Sequence, residues 1–316
     1  MRHTSDMKRT KQNTLLPHTG YAGQKPPRTD LALEEREYLR SEAGQASEPP
    51  GVEAKTVVRR GIKTTTVRIV SEEGEKQLHK PVGTYVTLEL EELNRHKLKA
   101  FQRITETLAG ELAALMRLPP EASVLVVGLG NPDVTPDSIG PRCLKRLFVT
   151  RHLMQSIPES FGKLRTVSAL QPGVMGSTGM ESAEIVRAVI SKTRPDCMIA
   201  IDALAAREVS RICSTVQLSD TGLTPGSGIG NRRAALTRQT LGIPVFAIGT
   251  PTVTEAAGFF PEERKWEAAD CIVTPRSIDE KADQIAALLA GSINLALHSG
   301  LTRDQIAQFV ETLEKG

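Results

Sequence analysis

The sequence predicts an α/β protein with a doubly wound, mostly parallel sheet flanked by helices and a small N-terminal strand-rich extension. Three observations lead to this fold class. From Ser123 onward, short runs of aliphatic residues alternate with amphipathic segments. The run Val124–Val127 is apolar throughout, which is typical of a strand covered on both faces. Residues 53–90 instead show β-branched runs and period-two alternation, which is typical of strands with one exposed face.

The N-terminal part is predicted to contain one helix and three strands. Arg28–Arg40 has helical character with Asp30 as its N-cap, and the Gly/Pro/Glu-rich stretch Ser41–Gly51 indicates a linker. Strands are predicted at 54–60, 62–70 and 84–90, separated by Gly61 and by a turn at Glu73 and Gly74.

The remaining elements alternate between helix and strand. The amphipathic stretch Glu91–Met116 predicts a long helix that Pro119 ends. Further strands are predicted at 124–127, 166–170, 198–201, 215–218, 245–248 and 272–273, and further helices at 138–153, 181–193, 278–297 and 302–313. This alternation favours parallel strands joined by helical crossovers.

Composition and charge exclude several classes of protein. No run of about 18 apolar residues occurs and Met1–Arg28 lacks the apolar core of a signal peptide, so we expect a cytoplasmic protein without a membrane partner. The net charge is +3, but Met1–Thr29 holds six basic residues and one acidic residue. This basic tail is predicted to be mobile, and without interleaved aromatic residues we expect no direct nucleic-acid binding.

Cysteine and histidine offer no obvious catalytic arrangement. The four cysteines form no Cys-x-x-Cys pair and are expected to be buried free thiols: Cys143, Cys197, Cys213 and Cys271. His152 and His298 are predicted to end helices, where a cation complements the helix dipole. Both are therefore interpreted as structural.

Two aspartates follow predicted strands at their carboxyl ends. Asp137 ends the loop after the strand 124–127, and Asp202 interrupts the apolar run at the end of the strand 198–201. Because ligands of open α/β sheets bind at that edge, we expect the two carboxylates to meet there, one of them protonated. The residues alone leave two alternatives open, namely that each aspartate caps or braces a turn, or that both bind a divalent metal.

The stretch Ser219–Asn231 is rich in glycine and proline. Its exposed backbone donors predict either a cradle for an oxyanion or peptide backbone, or a plain turn. The candidate residues of this substrate loop are Ser219, Asp220, Gly222, Gly226, Gly228 and Gly230. The glycines of residues 128–133 match neither the dinucleotide fingerprint nor a Walker loop, so no cofactor is expected.

An ordered series of motifs carries a family resemblance. It comprises RTDLALEE, VVGLGNPDVTPDSIGP, QPGVMGSTGMES, PDCMIAIDALAAR, VQLSDTGLTPGSGIGN and GIPVFAIGTPTV. Together these motifs make the chain resemble the spore germination proteases, endopeptidases that degrade small acid-soluble spore proteins. The resemblance implies that Asp137, in TPD-x-x-GP, and Asp202, in IDALAAR, are the catalytic residues of an atypical aspartic-type protease.

The same resemblance implies a zymogen. Self-cleavage is expected at Asp30–Leu31, which makes residues 1–30 a propeptide and residues 31–316 a single protease domain. DLALE, at Asp30–Glu34, mimics the substrate pattern of an acidic residue, an aliphatic residue, Ala and, two residues later, Glu. The family also implies a homotetramer acting in the forespore, and relative to bacillar members Thr254–Asp270 is short.

Two other functions are compatible with these residues. Hydrogenase-maturation endopeptidases share the fold that the resemblance implies and place acidic metal ligands at similar strand ends, so a metal-dependent maturation endopeptidase would use Asp137 and Asp202 as ligands. A non-enzymatic module would instead use the glycine-rich loops to bind a phosphorylated ligand.

Overall fold

The computed structural model of the chain describes residues 28–44, 47–90, 98–156, 164–230, 233–261, 264, 268 and 271–314. Three predicted features lie wholly or partly outside these residues. They are the basic tail before residue 28, residues 91–97 of the predicted long helix, and much of the short segment Thr254–Asp270.

Nine strands are found in the described residues. They are β1 (Val52–Arg59), β2 (Ile62–Ile69), β3 (Gly83–Glu89), β4 (Val124–Gly128), β5 (Val167–Leu170), β6 (Cys197–Ala205), β7 (Thr215–Ser219), β8 (Val245–Glu255) and β9 (Ile272–Val273). The sheet has the order β1-β2-β3-β7-β8-β6-β4-β5, and β9 pairs with β8. The N-terminal strands therefore continue the main sheet and do not form a separate extension.

The sheet is mixed, which corrects the expectation of a mostly parallel one. Strands β5, β4, β6 and β8 are parallel neighbours. Strands β8, β7, β3, β2 and β1 pair antiparallel in that order. A parallel return needs a crossover of about a dozen residues or more, and residues 206–214, between β6 and β7, are too few for one.

Ten α-helices are found in the same residues, and they cover both faces of the sheet. They are α1 (Ala32–Glu42), α2 (Glu72–Leu78), α3 (Leu98–Met116), α4 (Ile139–Leu144), α5 (Arg151–Ser156), α6 (Met175–Thr178), α7 (Ser182–Thr193), α8 (Arg238–Leu241), α9 (Ile278–Leu297) and α10 (Arg303–Glu314).

The two faces carry different sets of helices. On the first face, α3, α4 and α9 pack against the central strands around the largest apolar cluster. On the second face, α7 and α8 pack on β4 and β6, whereas α1 and α2 pack on β1, β2 and β3. The second face therefore has two helical covers, and the candidate site lies between them.

Several local predictions need correction. Residues 72–78 form α2 and not a turn, because Ser71 caps this helix by accepting the N–H of Gly74 at 3.4 Å. The predicted helix 138–153 is two short helices, α4 and α5. Strands β6 and β8 are longer than predicted, because they pair as far as Ala205 and Val253. The predicted helix 278–297 is confirmed as α9.

The cysteines and histidines also depart from expectation. Cys143, Cys197 and Cys213 are buried and free as predicted, but the free thiol of Cys271 is exposed. His152 is exposed in the first turn of α5 and does not end a helix. Burial lowers the pKa of His298 to about 4, so its imidazole is neutral near pH 7 and does not supply the expected cation. No described helix combines the length and apolar character needed to cross a bilayer.

Candidate active site

Asp202 lies near the carboxyl end of β6 and faces the side of the sheet covered by α7 and α1. Alternate residues of β6 face opposite sides, with Ile201 in the cluster below α9 and Ala200 in the cluster below α7. Asp202 shares the second side and is only 6% exposed. Its Oδ1 accepts the N–H of Ala203 at 2.9 Å. Because β6 continues through Ala205, there is no turn at this point for Asp202 to brace.

Asp137 ends the 3₁₀ helix Thr135–Asp137, in the connection that follows β4. Its Oδ2 accepts the N–H of Asn131 at 2.8 Å, which folds the loop back on itself. The N-cap residue of α4 is Ser138, and no side chain caps that helix. The capping role considered for Asp137 from the sequence is therefore wrong.

A close contact between α4 and the end of β4 positions the Asp137 loop. A Cβ on Gly128 would lie 2.6 Å from the carbonyl oxygen of Gly140, and a Cβ on Gly140 would lie 2.6 Å from the nitrogen of Leu129. Only glycine permits this approach. The N–H of Leu129 donates to the carbonyl oxygen of Ile201 at 2.8 Å. The start of the loop is thereby joined to the strand that carries Asp202.

Asp137 and Asp202 line one cleft of about 420 Å³, and Asp30 is a third carboxylate in its wall. Burial raises the pKa of Asp202 well above its usual range, and the negative charges of Asp137 and Asp30 raise it further. Burial also raises the pKa of Asp137, opposed by the N–H of Asn131. Asp202 is therefore the better placed of the two aspartates to hold a proton, and Asp137 ionises more readily.

Residues 29–34 cross the sheet beside this cleft and lead into α1. The N–H of Asp30 donates to the carbonyl oxygen of Ala205 at 3.0 Å, and Asp30 Oδ2 accepts the N–H of Ala205 at 2.9 Å. Asp30 Oδ1 accepts the hydroxyl of Ser227 at 2.6 Å. The N-cap of α1 is Leu31, without a side-chain cap, so the expected capping role of Asp30 is wrong. Asp30 instead joins the segment to β6.

The two residues after Asp30 are fully buried. Leu31 packs against Leu204 and Ala206 in a small apolar cluster. The N–H of Ala32 donates to Oε1 of Gln217 at 2.8 Å. The segment is therefore held by both its side chains and its backbone.

Glu34 occupies a polar pocket next to the end of β6. Its carboxylate accepts the N–H of Arg207 at 2.7 Å and the N–H of Glu208 at 3.0 Å, and Nε of Arg211 lies 3.4 Å away. The hydroxyl of Thr29 donates to the same carboxylate. Burial raises the pKa of Glu34, whereas these donors and the charge of Arg211 lower it.

The later part of the predicted substrate loop contacts the same segment. Gly226 lines the cleft with Asp30. A Cβ on Gly228 would overlap the carboxylate of Asp30, and one on Gly230 would overlap the guanidinium of Arg28. Gly228 and Gly230 therefore allow the loop backbone to approach residues 28–30.

The earlier part of that loop has a different environment. The hydroxyl of Ser219 donates to the carbonyl oxygen of Gly222 at 3.1 Å. Asp220 Oδ1 accepts the N–H of Thr84 at 2.7 Å, which joins the end of β7 to β3. Asp220 thus braces the sheet, and Ser219 and Gly222 close the turn after β7, while the predicted loop end at Asn231 lies outside the described residues.

No metal site is evident in the part of the chain that the structure describes. Its His, Cys, Asp and Glu side chains include no group of three or more that could hold a metal ion. Asp137, Asp202 and Glu181 line the cleft without forming such a group, and the Asp30 carboxylate bonds to Ala205 and Ser227.

Sequence reasoning missed Gln217 and Arg211 as parts of the site, and within the predicted loop Ser219–Asn231 it did not single out Ser227. Gln217 lies in the middle of β7 and is 8% exposed. The sequence did offer a signal, since an amide side chain stands between Val216 and Leu218 in an apolar strand. Burying an unpaired amide is unfavourable, so such a residue is expected to have a specific hydrogen-bond partner. Ser227 and Arg211 carried no comparable signal, since both lie in connections between strands.

This arrangement defines a class of protein: an α/β protein with two aspartates in one cleft beyond the carboxyl ends of parallel strands, and a peptide segment docked beside that cleft. The sequence profile described as germination protease matches residues 29–262. The germination protease of Caldanaerobacter subterraneus subsp. tengcongensis is 40% identical over 321 residues, which cover 90% of this chain and 98% of that protein. The Clostridium tetani protein of the same name is 36% identical over 90% of this chain and 99% of its own length.

The germination protease of Bacillus velezensis is 47% identical over 234 residues, which cover 72% of this chain and 63% of that protein. The chain belongs to the germination protease family and is an endopeptidase, as the sequence motifs predicted. The comparisons favour neither a metal-dependent maturation endopeptidase nor a phosphoryl-ligand-binding module.

Proposed function

We propose that Asp137 and Asp202 are the catalytic pair of this germination endopeptidase, and that the first bond it cuts is its own Asp30–Leu31. One observation carries the proposal. The carboxylate of Asp30 lines the same cleft as the two aspartates, while its backbone N–H is bonded to Ala205 of β6. A peptide bond held still beside paired carboxylates is favourably oriented for hydrolysis.

The two carboxylates act in different protonation states. Asp137, the more readily ionised, accepts a proton from the attacking water as general base. Asp202, whose pKa burial and neighbouring charges raise, supplies a proton to the departing amine. This is the atypical aspartic-type mechanism that the sequence motifs imply.

The same segment makes the full chain a zymogen. Residues 1–30 form the propeptide and residues 31–316 form the mature protease. Because Leu31, Ala32 and Glu34 fill buried pockets next to the cleft, another polypeptide enters only after this segment has been cut and displaced. Cleavage removes the covalent tether between the basic tail and the protease.

The substrates are small acid-soluble spore proteins. The contacts of the docked segment indicate which side chains such a substrate presents. An aliphatic residue replaces Leu31 against Leu204 and Ala206, and a glutamate replaces Glu34 at the backbone N–H groups beside Arg211. The docked segment therefore has the sequence pattern expected of the substrate.

Assembly and compartment follow from the motif resemblance alone. We expect a homotetramer that acts in the forespore and spore core. The resemblance also leads us to propose that the sheet is that of the hydrogenase-maturation endopeptidases.

Self-cleavage of the purified full chain tests the catalytic pair. Mass spectrometry should find a new N-terminus at Leu31 in the wild type and intact chains in Asp137→Asn and Asp202→Asn. Asp133→Asn is the matched control, because Asp133 is an exposed aspartate of the same loop. Self-cleavage at the wild-type rate by either variant would refute the proposed pair.

Cleavage of an added substrate tests the proposed specificity. The processed enzyme is incubated with one small acid-soluble spore protein and the products are mapped by mass. The cut should follow an acidic residue and precede an aliphatic residue, Ala and, two positions on, Glu. A cut without glutamate at that position would contradict the role given to the Glu34 pocket.

A further inference from the structure

Gln217 contacts the peptide on both sides of the proposed scissile bond. Its Nε2 donates to the carbonyl oxygen of Asp30 at 3.0 Å, and its Oε1 accepts the N–H of Ala32 at 2.8 Å. A carbonyl can only accept and a backbone N–H can only donate, so these partners fix the orientation of the amide. The donor group of Gln217 therefore faces the oxygen of the bond that would be hydrolysed.

The strand register places Gln217 opposite Asp202. Asp202 of β6 pairs with Gly249 of β8, and Gly249 pairs with Gln217 of β7. Paired residues of neighbouring strands face the same side, so these three form one row across the sheet, with Cα atoms of the outer two roughly 10 Å apart. A peptide lying over the row has the acid on one side and the amide on the other.

Glycine in the middle of this row leaves space for the side chain of Leu204, which packs against Leu31. A Cβ on Gly249 would lie 2.7 Å from Cγ of Leu204 and 2.8 Å from the backbone oxygen of Asp202. Any other residue would displace the strand that holds Asp202. The row thus combines an acid, a glycine covered by Leu204 and a hydrogen-bond donor.

We propose that Gln217 is a third catalytic residue, which stabilises the negative charge that develops on the carbonyl oxygen of the bond being cut. The proposal rests on the proposed cleavage of Asp30–Leu31. Gln217 is buried, and both hydrogen bonds found for its amide go to residues 29–34. When the segment leaves, these contacts become available to the substrate backbone, independent of the substrate side chains.

Hydrolysis of the Asp30–Leu31 bond uses one water molecule and both aspartates. The oxygen of a water molecule bonds to the carbonyl carbon of Asp30 while Asp137 takes one of its protons. The π-electron pair of the carbonyl moves to the oxygen that faces Nε2 of Gln217. As that pair returns, the C–N bond breaks and the nitrogen of Leu31 leaves with a proton from Asp202. The products are a carboxyl group on Asp30 and a free amine on Leu31.

Two substitutions test this assignment. Gln217→Leu removes the donor and keeps the volume, and Gln217→Glu keeps an acceptor for Ala32 but loses the donor of the neutral amide. Loss of one preorganised oxyanion donor lowers kcat by about 10²–10³ in a comparable case. We expect that decrease for self-cleavage and for cleavage of a peptide containing DLALE, with KM rising less than tenfold.

Thr87→Val is the matched control. Thr87 pairs with Gln217 on β3 and is also buried, but its hydroxyl has no hydrogen-bond partner among the described residues. We expect wild-type kcat for this variant. Thermal unfolding shows whether each of the three variants folds. If Gln217→Leu does not fold, Gln217→Glu serves as the test.

A second readout separates catalysis from packing. A peptidyl trifluoromethyl ketone, whose hydrate resembles the tetrahedral intermediate, should lose affinity for Gln217→Glu by about the same factor as kcat. The affinity of the same variant for the cleaved product peptide should fall less than tenfold. Two outcomes would overturn the role of Gln217 without affecting the proposed cleavage of Asp30–Leu31. One is an equal loss of affinity for the ketone and for the product peptide in Gln217→Glu, and the other is a wild-type kcat in that variant. A wild-type cut at another bond would overturn this assignment and the proposed self-cleavage site together.

Discussion

The two halves of the sheet place different chemistry around residues 29–34. The parallel half places Asp202 near the end of β6 and Asp137 just after β4, and burial raises the pKa of both. The antiparallel half contributes neutral Gln217 from the middle of β7. Asp137 and Asp202 therefore come from the parallel half, whereas the antiparallel half supplies the Gln217 amide, which contacts the peptide backbone on both sides of the Asp30–Leu31 bond.

This difference follows from strand direction. Parallel strands end at one common edge, so residues at their carboxyl ends meet there. Antiparallel strands end alternately at opposite edges, so a residue that reaches the same site comes from any point along the strand. A search for polar residues at strand ends therefore finds Asp137 and Asp202 but passes over Gln217.

The largest expected effect is the change in self-cleavage rate when Asp137 and Asp202 of the parallel half change protonation state. Above the raised pKa of Asp202, the fraction of chains with this group protonated falls tenfold per pH unit, and the self-cleavage rate should fall with it. Below the pKa of Asp137 the rate should fall again, because the base is then protonated. Rates measured from pH 4 to pH 9 should give a bell-shaped profile. A rate that stays constant across this pH range would show that catalysis does not depend on the two carboxylates.

A second prediction concerns the row that joins the two halves. Gly249→Ala introduces the Cβ contacts with Leu204 and Asp202, so we expect a loss of about 1–3 kcal/mol in the free energy of unfolding. Self-cleavage should slow at least tenfold, because β6 shifts relative to β7. Gly110→Ala is the control, since a Cβ on Gly110 meets nothing within 4 Å. Denaturant titration and the rate of appearance of Leu31 as N-terminus measure both effects.

A third prediction tests how the segment is held next to β6. Glu34→Gln leaves one acceptor oxygen for the two backbone N–H groups of Arg207 and Glu208, so the segment should bind less firmly. We expect about tenfold slower self-cleavage. Glu37→Gln is the control on the same helix, because Glu37 bonds Arg211 from a side chain that is 44% exposed. Equal rates for the two variants would show that the Glu34 pocket does not orient the segment.

The smallest expected effect is on stability. Because the pKa of Asp202 is raised in the folded chain, its contribution to stability is complete below the unfolded pKa of about 3.9 and is lost as pH rises through the folded pKa. Asp202→Asn should therefore unfold at a higher temperature than the wild type near pH 8, with the difference vanishing near pH 3.5. A shift of a few degrees would correspond to about 1 kcal/mol.

The control for that stability measurement lies at the surface of the antiparallel half. Arg60→Gln removes an ion pair with Glu106 in which both side chains are well exposed. Such pairs contribute about 0–1 kcal/mol, and no dependence on pH between 6 and 8 is expected. If the unfolding temperatures of Arg60→Gln and Asp202→Asn changed with pH in the same way, burial of Asp202 would not be the cause of the pH-dependent stability.

The sequence by itself determined the apolar strand runs, the helix 278–297, the two aspartates at strand ends and the family, because these signals lie within short stretches of chain. The tertiary structure alone decided that the N-terminal strands join the main sheet, that Asp30 bonds to Ala205 and Ser227, and that Gln217 faces Asp202 across Gly249. These features depend on strand order and register between distant segments, and local patterns of hydrophobicity do not specify which strands become neighbours.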